Sequence, residues 1–155
     1  MKVLVLTVSD RVSAGVYRDR SGPAIEKVLR EKIPGSSIER KTVPDEKRRI
    51  LEVFRGSGEF DVIITTGGTG LGPRDITPEA TDEFCERAVP GIAEYLRARS
   101  FEQTPNAALS RGAAGIAAGT LIVNFPGSEK GAVFCAGIIS EVLEHALEMM
   151  RGSGH

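Results

Sequence analysis

A chain of 155 residues can bury a substantial core as one domain and needs no disulfide framework to do so. Its 20 Lys+Arg against 21 Asp+Glu leave a net charge of −1, so no long-range field draws it to nucleic acid or to an anionic membrane, and an anionic ligand must be held locally. Eighteen glycines are well above the usual ~7%, an excess that marks backbone turns and close approaches and puts function on loops.

The chain opens with Lys2–Val8, a β-branched and leucine-rich run with the composition of a strand buried on both faces of a parallel sheet. A polar loop, Ser9–Ser21, follows, and then Pro23, Ile25, Val28, Leu29 and Ile33 mark one face of a helix with Pro23 in its first turn. Ser37–Val43 alternates weakly as a second strand, and Pro44-Asp45-Glu46 opens a basic helix marked by Ile50, Leu51 and Phe54. Phe60–Thr66 is another buried strand, delivered directly into Gly67-Gly68-Thr69-Gly70-Leu71-Gly72-Pro73-Arg74-Asp75. Thr77-Pro78-Glu79 reads as an N-cap, a first-position proline and an early acid, with the helix running to about Ala88. A further helix follows Pro90-Gly91, Pro105–Gly119 reads as small and irregular, and Thr120–Phe125 is the last strong strand. From Gly131 to Met150 the apolar spacing predicts one long helix. Strands alternating with helices predict an α/β three-layer α/β/α sandwich with a largely parallel sheet, one domain over residues 1–150 and a disordered tail over 151–155.

Several chemistries are excluded. The longest uncharged stretch, Gly112–Ser128, is interrupted by glycines, Asn124 and Pro126, so it is no membrane span, and the apolar run Val3–Leu6 is too short for a signal peptide; a cytoplasmic protein is expected. Cys85 and Cys135 have no CxxC spacing and read as reduced, packed thiols. His145 falls in a helical pattern and His155 is the last residue, leaving no histidine general base.

In open α/β sheets the ligand crevice lies beyond the carboxyl ends of the strands. Four strands here end in chemically rich loops: Ser9-Asp10-Arg11, Pro44-Asp45-Glu46, Gly67–Asp75 and Asn124–Ser128. The third lacks the Lys-Ser/Thr of a P-loop and is not GxGxxG opening into a helix. What it offers is a glycine cradle followed by Arg74 and the carboxylate of Asp75, a set that suits phosphate with Mg²⁺; a salt-bridged acid in a tight turn is the plainer alternative.

The stretches SDRVSAGVYRDRSGP (Ser9–Pro23), VPDE (Val43–Glu46), TTGGTGLGPRDITPEAT (Thr65–Thr81), LSRGAAG (Leu109–Gly115) and TLIVNFPGSEKGA (Thr120–Ala132) occur in this order. Together they resemble the molybdopterin adenylyltransferases, the MogA/MoaB group and the gephyrin G domain, along the whole chain. The resemblance implies that ATP and molybdopterin give adenylyl-molybdopterin and pyrophosphate in a Mg²⁺-dependent step of molybdenum cofactor synthesis. It assigns Asp45 and Asp75 to catalysis and metal handling, and Ser110 to molybdopterin binding. With these go Ser9, Asp10, Gly67, Gly68, Thr69, Gly70, Asn124, Pro126, Gly127 and Ser128 as substrate-binding candidates. It also implies a homotrimer, with pairing into a hexamer left open, and the molybdotransferase acting next as a partner. A non-catalytic molybdopterin-binding protein of the same fold is the alternative.

Overall fold

The computed structural model describes residues 1–153. Six strands form one sheet in the order β2-β1-β3-β6-β5-β4. β1 (Lys2–Val8) lies parallel to β2 (Ser37–Val43) and to β3 (Val62–Thr66), and β3 lies parallel to β6 (Thr120–Phe125). β5 (Ala114–Ala117) runs antiparallel to β6, and the short β4 (Arg87–Ala88) runs antiparallel to β5. The sheet is therefore parallel through its centre, as the sequence predicts, with an antiparallel edge.

Side-chain alternation along the central strands builds two cores. Val3, Val5, Val62, Ile64, Leu121 and Val123 point to one face, where Ile25 and Leu29 of α2 (Ser21–Lys32), Leu96 of α5 (Pro90–Ser100), Ile139 of α6 (Glu129–Ile139) and Leu147 of α7 (Leu143–Met150) cover them. Leu4, Leu6, Val8, Ile63 and Ile122 point to the other, under Ile50 and Phe54 of α3 (Lys47–Phe54) and Ala80 of α4 (Thr77–Phe84). This is the expected three-layer sandwich. None of the helices among the described residues is long and apolar enough to cross a membrane.

The structure departs from the sequence reading in several places, each for a local reason. The Ser9–Ser21 loop contains a single helical turn, α1 (Asp10–Ser13), because the Ser9 hydroxyl accepts the Val12 N–H at 3.3 Å. α4 ends at Phe84 and not Ala88, since Glu86 N–H donates to Ile116 O at 3.0 Å and Val89 N–H to Ala114 O at 2.8 Å, drawing the chain into the sheet edge. Thr77 is the first helical residue of α4, not its cap; its hydroxyl donates to Gly67 O at 2.9 Å. The segment expected to be irregular holds a 3-10 turn at Pro105–Leu109 and the strand β5. Ala118 and Gly119 both take positive φ, 49° and 78°, as a two-residue hairpin turn into β6 requires, although Ala is an unusual residue for that position. The predicted long helix is two, α6 and α7; the Ser140 hydroxyl donates back to Ala136 O at 2.6 Å at the break. Arg151, placed in the tail from the sequence, donates to Asp61 Oδ1 at 2.9 Å, while the end of that tail, with His155, lies outside the described residues.

Candidate active site

Strand order decides where ligands fit. From β1 the chain goes outward to β2, then returns across to β3 on the opposite side of β1, so connections leave the sheet in opposite directions between β1 and β3. At such a reversal the loops at the carboxyl ends splay apart and open a crevice. Loops after β1, β2, β3 and β6 all reach this end of the sheet and carry the sequence candidates other than Asn124, near the end of β6, and Ser110, which precedes β5.

The glycine loop is held tightly by its own surroundings. At Gly67, with φ +102°, a Cβ would stand 2.2 Å from Val8 O at the end of β1. At Gly68, with φ +65°, it would stand 2.3 Å from the Thr77 hydroxyl and 3.2 Å from Asp45 Oδ1. These two positions therefore need glycine both for backbone conformation and for contact. Thr77 N–H donates to Gly68 O at 3.0 Å, Gly67 N–H to Phe125 O at 3.3 Å, and Thr69 is buried. Gly70 and Gly72 pack on the Asp75 carboxylate, and Gly72 N–H donates to Asp75 Oδ2 at 2.8 Å.

Two acids meet across two loops, with an arginine from a third. Asp10 N–H donates to Asp45 Oδ2 at 2.8 Å and Asp45 N–H donates to Asp10 Oδ1 at 3.0 Å, a reciprocal pair that fixes the β1 and β2 loops together. Arg74, from the glycine loop, then grips both oxygens of Asp10, Nε at 3.1 Å and Nη2 at 2.9 Å. That guanidinium holds the Asp10 carboxyl below the ordinary range. Burial pushes Asp45 the other way, above its ordinary value, and the negative charges of Asp10 and Asp75 add to this against the Asp10 N–H and Arg74.

Asp45 and Asp75 each keep one carboxylate oxygen outside the fold's own hydrogen bonds, the kind of hard donor that a magnesium ion takes. In both Asp45 and Asp75, Oδ2 accepts a backbone N–H, while Oδ1 accepts from no protein donor among the described residues. Two hard oxygens are what Mg²⁺ commonly takes from protein when phosphate and water complete its octahedron. No group of three or more His, Cys, Asp or Glu among the described residues makes a cage by protein alone.

Two cavities flank the Pro126–Ser128 loop. One, of about 230 Å³, is lined by Ser110, Asn124, Pro126 and Ser128, with Arg97 and Lys130 as cations. Ser110 Oγ accepts Gly112 N–H at 3.3 Å, and Ser128 caps α6 by accepting Gly131 N–H at 3.3 Å. The Asn124 amide is committed to the fold: it donates to the Thr65 and Thr81 hydroxyls at 3.0 and 2.9 Å and accepts Ala113 N–H at 3.1 Å. Pro126 O accepts the Thr66 hydroxyl at 2.8 Å. The second cavity, of about 380 Å³, lies at the ends of β1 and β3 and is lined by Ser9, Gly67 and Gly127 with Arg11, Arg18 and Arg20. Asp45 and Asp75 line neither cavity. Cys135, buried, lines the first cavity and Cys85 is half-buried; burial pushes each thiol up to about 11.

Two contributors escaped the sequence reading. Asp19 accepts from the Thr7 hydroxyl at 2.8 Å and from Gly22 N–H at 3.0 Å, folding the β1 loop beside the second cavity. Arg111 donates to Gly70 O at 2.8 Å, to Asp75 O and to the Glu79 carboxylate. A signal for it existed, because Arg111 is the only charged residue between Glu102 and Glu129.

A family model described as "Probable molybdopterin binding domain" matches residues 4–145. The chain belongs to this molybdopterin-binding family. Family members at useful distance include the Molybdopterin adenylyltransferase of Helicobacter pylori, 37% identical over 96% of this chain and 87% of that protein. The Molybdenum cofactor synthesis protein cinnamon of Drosophila melanogaster is 43% identical over 94% of this chain, which spans only 25% of that longer protein. Among solved structures, the molybdopterin biosynthesis enzyme MoaB from Thermus thermophilus superposes with a TM-score of 0.86 at 45% identity, covering 97% of this chain and 96% of that one.

Proposed function

We propose that this protein is a molybdopterin adenylyltransferase, joining AMP from ATP to the phosphate of molybdopterin and releasing pyrophosphate. One observation carries the reading beyond family membership. Asp45 and Asp75 come from separate loops to the same glycine turn, each with one carboxylate oxygen fixed by backbone and the other left for a ligand. A molybdopterin binder with no reaction to perform has no need of this pair, and burial of charge at Asp45 is unfavourable to the fold.

In the proposed step a molybdopterin phosphate oxygen forms a bond to the α-phosphorus of ATP. The bond from that phosphorus to the bridging oxygen breaks, and pyrophosphate carries the electron pair away. A magnesium ion, when bound, supplies neutralisation of the triphosphate charge, and Asp45 and Asp75 are the residues that would hold it. Phosphoryl transfer of this kind depends on positioning and charge stabilisation, so no histidine base is required. Ser110 faces the molybdopterin side in this reading. Arg97, Lys130, Arg11, Arg18 and Arg20 supply the local positive charge that two anionic substrates need in a chain of net charge −1.

The reading extends to a cytoplasmic homotrimer that can pair into a hexamer, with exposed Phe101 and Leu109 as apolar surface for assembly. Its product is an activated phosphoanhydride, so the metal-inserting molybdotransferase is the expected partner. Asp75→Asn tests the chemistry. It keeps the side-chain shape and an acceptor for Gly72 N–H, and loss of one preorganised charge is expected to slow rapid-mix product formation ~10² to 10³-fold. Molybdopterin affinity should change little. Near-normal product formation by the folded variant would remove Asp75 from the mechanism.

A further inference from the structure

Among the described residues, Arg111 bonds to one stretch of chain. Its backbone N–H donates to Thr69 O at 2.9 Å, Nε to Gly70 O at 2.8 Å, Nη2 to Asp75 O, and both Nη atoms reach the Glu79 carboxylate. All four anchors lie on the glycine loop or the first turn of α4, while Arg111 itself follows Ser110 at the entry to β5. Three backbone carbonyls thus gain donors from one residue. A guanidinium alone among side chains presents a planar fork wide enough to serve two carbonyls and a carboxylate at once, and a lysine ammonium does not.

We infer that Arg111 is a positioning residue that holds the Asp75 loop in register with the Ser110 turn, so setting the distance between the nucleotide and molybdopterin halves of the site. This rests on the adenylyltransferase reading for what the two halves bind. Arg111 bonds protein carbonyls and Glu79 rather than facing either cavity, so its effect on the reaction passes through the loop. Transfer between two bound substrates is sensitive to such a spacing, a misplacement of about 1 Å lowering the rate by up to ~10²-fold while each substrate still binds.

The test uses Arg111→Lys, Arg111→Ala and Glu79→Gln in the whole chain. For Arg111→Lys the expected result is single-turnover adenylylation slowed ~10- to 100-fold, with the separate affinities for ATP and for molybdopterin within about threefold of the parent. Amide hydrogen exchange should quicken in Gly67–Asp75 and stay unchanged in β1, β3 and β6. Free guanidinium should restore part of the rate to Arg111→Ala. Glu79→Gln leaves the three backbone anchors in place and removes only the exposed ion pair; it should fold even if the arginine variants do not, and show a smaller rate loss of the same kind.

Parent-like transfer and parent-like loop exchange in folded Arg111→Lys would overturn the inference, as would a loss confined to the affinity for one substrate. A parent protein that fails to adenylylate molybdopterin overturns the functional reading instead. The exchange measurement still reports in that case whether Arg111 holds the loop.

Discussion

Replacing Gly68 by alanine perturbs fold and chemistry at one atom. The added Cβ would meet the Thr77 hydroxyl at 2.3 Å and Asp45 Oδ1 at 3.2 Å, and φ at this position is +65°. Three unfavourable effects combine: left-handed strain of ~1 to 2 kcal/mol, crowding of a packed site of ~1 to 3 kcal/mol, and loss of the bond from the Thr77 hydroxyl to Gly67 O, ~1 kcal/mol. Gly15→Ala is the control, since φ there is +73° but nothing lies within 4 Å. It carries the strain alone. Gly68→Ala should therefore be less stable than Gly15→Ala by ~2 to 4 kcal/mol, on the order of 5 to 15 °C in Tm for a domain of this size. Urea unfolding of both variants measures the difference, and adenylylation by Gly68→Ala should fall further than its folded fraction accounts for, because Asp45 is displaced. Equal stabilities would refute the close packing of Gly68 on Thr77 and Asp45.

Ser110→Ala should weaken molybdopterin binding about tenfold or more, for a lost hydrogen bond to a charged group of ~1.5 to 3 kcal/mol, and leave ATP binding nearly intact; equal weakening of both in titrations would show Ser110 misassigned. Asp45 gives a pH signature. Its folded pKa is raised, so its contribution to stability is present when it is protonated at low pH and is lost as pH rises through that raised value. Asp45→Asn should accordingly melt at a higher temperature than the metal-free parent at neutral pH while losing turnover. A variant that melts lower at neutral pH, with its fold intact, would contradict the burial of charge at this position.

How much of this was legible in the residues depends on range. The buried strands were plain because Val3–Val8, Val62–Thr66 and Thr120–Phe125 carry apolar runs that only a covered sheet explains, and the strand-end loops followed from them. β5 was hidden because three of the four residues in Ala114–Ala117 are Ala or Gly, leaving Ile116 as its one strand former; it is a strand because β6 and β4 pair with it on either side. Thr77 looked like an N-cap from its neighbours, and only the return of the glycine loop over α4 turned its hydroxyl toward Gly67. Asp10 is a substrate-binding candidate by sequence, and what the sequence does not show is that its carboxylate accepts from Arg74 and Asp45, residues 64 and 35 positions away. Charge pairs at such separations leave no mark on local spacing, and Arg111 on Gly70, Asp75 and Glu79 is of the same kind.

Pyrophosphate release from ATP, followed with and without molybdopterin in the presence of Mg²⁺, tests the central claim most directly. Release should require molybdopterin, match adenylyl-molybdopterin formed mole for mole, and fall in both Asp45→Asn and Asp75→Asn. Tight molybdopterin binding with no molybdopterin-dependent pyrophosphate would contradict the claim and leave the protein a molybdopterin carrier built on this fold.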